Sequence, residues 1–535
     1  MLRTTVLVWA MMSGCGEDGA KDTAGDGTTP TSTMTGTTGT TGTTGTTGTT
    51  GTTPTTPTTG TTGTTATGTG DVTVVSAEVR DNESLILEKI FDITLSEPAS
   101  VAVACTRADL PEEVHLSEST DVQTAHEVRV NGLAPDTSYD CIVAPTGDVA
   151  PAPTSVSFSV IDLPSSLPDL TVYEDRGDMF GGPYTLFSHE RLCRGSETIR
   201  LVMVDPDGVI RWHYLVPTTG SLDMGAEYVG DGQILWGGVS ASPRGEGAPQ
   251  IITVSHEQVY VASYPESNIE FHHSAEMLDD GSIMTMVEYP AFDGGREFTG
   301  FGVHWIDPVK DALKWFWDGQ WAIDAGDLFA SGVGDYGANW AGVMNDGARD
   351  VVVISMCDEQ HLIAVDPKTD EIVWQLGDRG TLELVGGGSM PHCQHGPDTD
   401  GQRLLLYDND GWFAGETRIV EYEIDAPSGT VQQTWEWTEP GWSEPIWGDV
   451  DYLGDDRILI ARAHSCLSFS DATERSHLIE VDRTTDEVVW RAVLGDSDDG
   501  IYNIDRIGGC ELFGNARFCP DVADRLEALA TQLGG

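Results

Sequence analysis

Five glycines, Gly232, Gly281, Gly347, Gly401 and Gly454, each precede a short, strongly apolar run, and counting from them picks out the residues best able to do chemistry. Eight positions back lie Met224, His273, Asn339 and Ile446, and in the shorter fourth case the nearest polar residue is His395. Ten positions forward from Gly347 and Gly454 lie Cys357 and His464. If the glycines mark equivalent turns of a repeated unit, these side chains come from neighbouring units to one place, although they are far apart in the chain. A neutral imidazole there suits nucleophilic catalysis, because an unshared pair on the ring is available at physiological pH. The same residues raise a metal reading, since Cys357, His392, Cys393, His395, His464 and Cys466 are all competent ligands for zinc or copper. No CxxC or HExxH spacing supports it, and a disulfide tying Cys357 to Cys393 across adjacent units ranks above it, so no metal site is assigned. Asp408-Asn409-Asp410-Gly411 opens like a calcium loop but has no Glu at the twelfth position, so it reads as a hydrated turn.

The elements that must position these residues repeat. Leu362–Trp374 reads LIAVDPKTDEIVW and Leu478–Trp490 reads LIEVDRTTDEVVW, two near-copies of a strand, a turn and a strand. Weaker copies start at Leu201, Ile251, Gly302 and Ile419, which makes six, with centres at Asp205, His256, Asp307, Asp366, Asp425 and Asp482 spaced by 51, 51, 59, 59 and 57 residues. Alternating apolar residues around an Asp-Pro or Asp-x-x-Gly turn are the pattern of an outer β-hairpin. The apolar runs after the five glycines read as inner, fully buried strands lining an axis. The expected fold class is therefore all-β. Residues 165–520 form a six-bladed β-propeller, closed between the segment near Tyr184 and IYNIDRI near the C-terminus, and residues 521–535 form a short helix. Trp212, Trp315, Trp374, Trp435 and Trp490 recur at one repeat position and are read as blade packing. Histidines 189, 213, 256, 304 and 361 are read as structural hydrogen-bonding groups.

Upstream of the propeller, residues 1–15 have one Arg, a short apolar core and small residues before Cys15, the pattern of a secretion signal rather than a membrane span. The ending Met12-Ser13-Gly14-Cys15 resembles the bacterial lipoprotein signal, which implies acylation of Cys15 and a membrane partner reached through that lipid. Residues 16–70 are dominated by Thr and Gly and cannot bury apolar surface, so they read as a flexible stalk. Residues 71–162 turn to short alternating strands, and VNGLAPDTSYDCIVAP resembles the second half of a fibronectin III or Ig-like β-sandwich, with Cys105 and Cys141 on strands that could be neighbours and form a disulfide. With 86 acidic against 28 basic residues the formal charge is −58, which argues against nucleic acid as a partner and fits an exported, envelope-anchored protein. A monomer is the default expectation.

FHHSAEMLDDGSIM around His273, QHGPDTDGQRLLLYDND from Gln394, ETRIVEYEID around Arg418 and the late GIYNIDRI resemble the bacterial arylsulfotransferases of the six-bladed propeller type. The resemblance implies transfer of a sulfuryl group from an aryl sulfate to a phenol without a nucleotide sulfate donor or other cofactor. By position His395 matches the nucleophile that forms a sulfohistidine, and His273 matches a sulfate-contacting histidine. Two departures follow. Ala338-Asn339-Trp340-Ala341 places Asn339 and Ala341 where the family has His and Asn, and Ser355-Met356-Cys357 stands where it has Ser-Ser-Arg. Substrate binding then falls to Asn339, Arg418, Arg462 and His464, with Arg462 or His464 replacing the missing charge. Loss of one positioned donor commonly costs about 100- to 1,000-fold in rate, so a second expectation stands beside the enzyme: a catalytically silent propeller that binds a small ligand or surface partner at the same mouth.

Overall fold

A computed structural model describes residues 72–533 except 148–152, 177–178, 192–198, 217–220, 241–247, 263–268, 294–295, 329–337, 358, 410–415 and 465–473. Cys15, the Thr/Gly tract, Cys193, Asp410, Gly411 and Cys466 lie outside the described residues. The described residues belong to one compact unit.

The N-terminal strands follow from apolar alternation in Val74–Asp81, Lys89–Arg107, Val114–Val130, Ser138–Thr146 and Thr154–Ser159. The two longest pair along their length, with a register break between Thr94 and Ala99. The first half of Lys89–Arg107 takes Val74–Asp81 as its other neighbour, and the second half takes Ser138–Thr146, which pairs in turn with Thr154–Ser159. One sheet is thereby shared between two layers, with Phe91, Ile93, Val103, Val128, Tyr139 and Val143 buried in the core. Cys105 sits opposite Cys141 in the ladder and is bonded to it. Tyr139, two residues before Cys141, accepts from the Ala134 N–H at 2.8 Å through its hydroxyl, a side-chain brace typical of the corner in such sandwiches.

The rest of the chain forms six four-stranded antiparallel meanders, two of them extended to five strands. Five blades are consecutive in sequence. The remaining one takes its innermost strand, Gly500–Ile507, from the end of the chain, antiparallel to Tyr184–Glu190 in the register Gly500 to Glu190 and Ile507 to Tyr184. The closure read from the sequence is thus the one observed, and all six copied hairpins are the outer strand pairs. Indole N–H groups link several blades: Trp212 donates to Val254 O at 2.7 Å, Trp490 to Pro206 O at 2.9 Å, and Trp315 and Trp435 to Asp370 and Asp486, both at 2.8 Å. The sequence did not announce two edge additions, Glu383–Val385 beside Thr430–Trp437 and Leu170–Asp175 beside Glu487–Leu494.

One expectation needs correction. The apolar runs after the turn glycines do not line the axis; they are second strands. Leu404, Leu405, Leu406 and Tyr407 are each fully buried because both faces of that strand meet protein. The innermost strands are the preceding, more polar ones: Ser221–Gly230, Glu270–Met277, Trp340–Asn345, Gln394–Asp400 and Asp449–Gly454, together with Gly500–Ile507.

These innermost strands are bonded to one another all round the ring by side chains. Asp505 accepts from Tyr228 N–H (2.6 Å), Glu227 from Met277 N–H (2.7 Å), Glu276 from the Trp340 indole (2.5 Å), Asp398 from Tyr452 N–H (2.7 Å) and Asp449 from Ile504 N–H (3.0 Å). The sixth junction is Thr399 Oγ1 donating to Val343 O at 3.1 Å. Burial first, then neighbouring carboxylates, push Glu227 up to about 8, and Glu276, Asp398, Asp449, Asp451 and Asp505 are raised as well.

The sandwich and propeller are joined by a buried ionic network. Arg211, on the strand Ile210–Leu215, grips Glu113 through both terminal nitrogens (2.8 and 2.7 Å), reaches Asp205 (2.7 Å) and Gly132 O (3.1 Å), and Glu113 also accepts from the Tyr139 hydroxyl at 2.9 Å. Burial alone would raise the Glu113 carboxyl, but the hydrogen bonds from Arg211 and His115 outweigh it and hold it far below its usual range. The C-terminal helix Pro520–Gln532 returns to the sandwich, where Val522 and Leu529 pack on Ala102, Ala104 and Leu116, and Cys510 and Cys519 are bonded just before it.

Two outcomes follow. Arg211→Met strands Glu113 and Asp205 without their partner, so the urea midpoint should drop by the equivalent of about 3–5 kcal/mol; an unchanged midpoint would separate domain docking from this network. The acids of the ring act in the opposite sense to a salt-bridged carboxylate. A raised native pKa means stability that is complete below the unfolded value and is lost as pH rises through the native one. Stability should fall from about pH 4.5, the unfolded carboxyl value, to about pH 8, the value to which Glu227 is raised, and Glu227→Gln, which keeps an acceptor for Met277 N–H, should shrink that fall in parallel melting curves.

Candidate active site

Four innermost strands carry a bulge towards the same end of the ring, with register shifts at Leu222/Met224, His272/Ala275, His395/Asp398 and Ile501/Ile504. A bulge adds a residue to one strand and turns a side chain out of the alternating pattern. Residues from several blades can therefore be aimed at one mouth. His273 takes the left-handed conformation (φ 58°) within its bulge. Gly396, which follows His395, has φ 40°, and a Cβ there would run into Asp449, so glycine lets the neighbouring blade close against this strand.

His395 is buried and its Nδ1 lies 2.7 Å from Asn409 Oδ1. The Asn409 amide is fixed independently, since its Nδ2 donates to Glu444 O at 2.8 Å and Trp447 O at 2.9 Å. Two carbonyls claim the nitrogen, so Oδ1 can only accept. His395 Nδ1 must then carry the proton, which leaves the lone pair on Nε2. Burial pushes the His395 pKa down to about 4, against a smaller opposing pull from Asn409. His273 is depressed well below its usual value by burial and then by His272 and His395, and its Nδ1 contacts His272 Nδ1 in a hydrogen bond. The Tyr502 ring, on the closing strand, is 6.2 Å from that of His273 and packs in a small cluster with Trp447 and Ala463.

Asn339 reaches the same place from the blade before: its Nδ2 donates to Gln394 O at 2.8 Å, while its buried Oδ1 meets no protein donor. Gln394 is anchored by Ser355 Oγ (3.1 Å) and His361 O (3.0 Å). Cys357, in the position where an arginine was expected, is bonded to Cys393, two residues before His395.

The structure separates other expected residues from this group. Arg418 is held by Asp408 (2.9 Å), Glu436 (2.6 Å) and Met390 O (3.2 Å), so it braces the loop leading into the His395 strand and is not free to bind substrate. Arg462 is likewise committed, to Glu439 at 3.3 Å and Glu474 at 3.0 Å. His464 is not separated in this way: its backbone N–H donates to Ser476 Oγ at 3.1 Å, and its neighbour Ala463 packs with Trp447 and Tyr502. Neither arginine stands free to replace the missing cation. Asn409 corrects the hydrated-turn reading: it is fully buried and orients His395. Tyr502 was missed because no hairpin turn follows its strand, which leaves nothing to count back from. Its signal was its place in IYNIDRI, the strand that had to close the ring.

Fold and site together define a six-bladed propeller with a neutral, tautomer-locked imidazole at one mouth. The arylsulfotransferase (ASST) family model matches residues 185–503, more than half of the chain, and the protein belongs to that family. No curated protein matches it in sequence. Solved structures similar to it include Kluyveromyces lactis Hsv2 (10% identity over 72% of this chain and 94% of that one, TM-score 0.28). Another is Kuenenia stuttgartiensis hydrazine synthase (10% identity, 68% and 95% covered, TM-score 0.31).

A histidine whose native pKa is lowered from 6.5 to about 4 keeps its free base throughout that interval. The unfolded chain takes the proton first, so this burial costs stability progressively as pH falls through that window. Acylation of His395 by diethyl pyrocarbonate, followed by peptide mass mapping, should stay undiminished at about pH 5.5, where an ordinary histidine is mostly protonated. A midpoint near 6.5 would mean that the ring is solvated.

Proposed function

We propose that the protein moves a sulfuryl group from an aryl sulfate to a phenol through a sulfohistidine on His395. The observation that carries this is the Asn409 lock, which leaves Nε2 as the one available lone pair on a neutral ring. In the first half-reaction Nε2 attacks sulfur, the S–O(aryl) bond breaks, and its electron pair leaves with the phenolate. Nδ1 keeps its proton, so the ring is cationic in the intermediate, and the Asn409 carbonyl faces that charge. In the second half-reaction a phenol loses its proton to His273, its oxygen attacks sulfur, and the N–S pair returns to Nε2. His273 suits that role because it is uncharged before the proton arrives. Tyr502 and Trp447 offer an aromatic wall for an aryl group, and the unpartnered Asn339 Oδ1 offers an acceptor for a phenolic O–H.

Asn339 and Cys357 stand where two charge-stabilising groups were expected, so the reading favours activated esters, whose phenolates leave without strong assistance. Export and anchoring through Cys15 belong to the same proposal, supported by the bonded pairs Cys105–Cys141, Cys357–Cys393 and Cys510–Cys519.

With nitrophenyl sulfate as donor and a phenol as acceptor, transfer should be ping-pong, and donor alone should leave an adduct of about 80 Da on the His395 peptide. His395→Asn should abolish both, and Asn409→Leu should lower kcat by about 10- to 100-fold by freeing the tautomer. Absence of adduct and transfer in the wild type, with phenols still bound at the mouth, would replace the enzyme by a binding module.

A further inference from the structure

Two sulfurs meet the imidazole of His395. One ligand atom each from Cys357, Cys393 and His395 lie within 4.8 Å of one another, and all three residues are buried. They come from two blades: Cys357 follows the second strand Asp350–Met356, while Cys393 and His395 bracket the start of Gln394–Asp400 in the next blade. Both stretches are held in place independently of the sulfurs. Asn339 N–H donates to Ser355 O at 3.0 Å, the Gln394 amide spans to Ser355 and His361, and Asn409 orients the imidazole. Breaking the sulfur bond therefore leaves the two stretches that carry the donors side by side.

We infer that, once the Cys357–Cys393 bond is reduced, Cys357, Cys393 and His395 form a binding site for a thiophilic metal ion of the zinc class. Reduction by a dithiol delivers two electrons and two protons to the pair and converts the reductant to its own disulfide. The metal then displaces both thiol protons and takes the Nε2 lone pair, with Nδ1–H still donating to Asn409 as an outer support for the ligand. Zinc bonds of about 2.3 Å to sulfur and about 2.0–2.1 Å to nitrogen put tetrahedral ligand atoms roughly 3.5–3.8 Å apart. The sulfurs must move apart and the imidazole inward by about 1 Å, a side-chain adjustment rather than a rearrangement of blades. Three protein ligands leave a fourth position for water. Thiolates and imidazole also discriminate, because calcium and magnesium prefer oxygen donors.

The consequence for transfer rests on the sulfohistidine reading: a metal on Nε2 occupies the pair that would attack sulfur, so the reduced, loaded protein is silent, and activity returns when a chelator removes the metal and an added disulfide takes two electrons from the two thiols, itself ending as two thiols.

Cobalt(II) is the probe, because thiolate ligation gives it a sulfur-to-metal charge-transfer band. Full-length protein is reduced with dithiothreitol, freed of it under argon and titrated, with the oxidised protein alongside. The expected result is one equivalent bound with that band in the reduced form only, displaced by zinc and unaffected by excess calcium. Cys357→Ser should remove the band, His395→Asn should weaken binding by about tenfold or more, and Cys105→Ser with Cys141→Ser should change neither. No uptake by reduced wild type, or uptake that survives Cys357→Ser, overturns the assignment. Because the titration contains no aryl sulfate, an oxidised protein that fails to transfer sulfuryl groups refutes the sulfohistidine and leaves the cobalt result to stand or fall alone.

Discussion

The pairing of Gly500–Ile507 with Tyr184–Glu190 governs everything else in this molecule. A propeller blade buries its apolar faces only against two neighbours, and an open ring leaves two blades each half covered and an unpaired strand edge. The closing ladder supplies the backbone hydrogen bonds. The inner carboxylates fix the phase of the ring around it, with Asp449 accepting from Ile504 N–H and Asp505 from Tyr228 N–H on either side of the seam. Arg211 then carries the constraint outward, since the blade completed by the last strand is the one bonded to Glu113 of the sandwich.

The site obeys a different physics from the rest of the surface. In a chain with a formal charge of −58, the mouth residues are held uncharged. Their neutrality comes from burial, which penalises any ion that is not paired. Where arginines occur nearby they are consumed by carboxylates, Arg418 by Asp408 and Glu436, Arg462 by Glu439 and Glu474. What remains for chemistry is orientation: an amide whose nitrogen is claimed by two carbonyls dictates which imidazole nitrogen carries the proton.

Much of the fold was legible because outer hairpins repeat a local pattern, apolar alternation around an Asp-based turn, that needs no tertiary context. The order along the axis was not. Hydrophobicity marked the second strands, which meet protein on both faces, and the innermost strands hid behind polar residues whose partners lie in the next blade. Glu227 accepts from Met277, 50 positions away, and no local pattern announces that. The same limit applied to the site. His273 fell out of the repeat count and His395 lay close to its fourth position, whereas Asn409 is fixed by Glu444 O and Trp447 O, 35 and 38 positions away. Arg418 and Arg462 carry the right charge, and their commitment to carboxylates becomes visible only in three dimensions.

Proteins are made from the N-terminus, and here the order of synthesis has a chemical consequence. Tyr502, which faces His273, arrives on the final strand, and the neighbouring Asn503 reaches across to Asp449 at 2.6 Å and to Ala226 N–H at 2.8 Å. Until those residues have emerged, both histidines exist but His273 lacks the aromatic ring it packs against. Assembly of the ring and of the site are thus completed by one segment, so a chain truncated before it carries His273 and His395 in an unfinished setting. The ring acts as its own inspection step: only a chain read through Gly500–Ile507 presents the finished mouth.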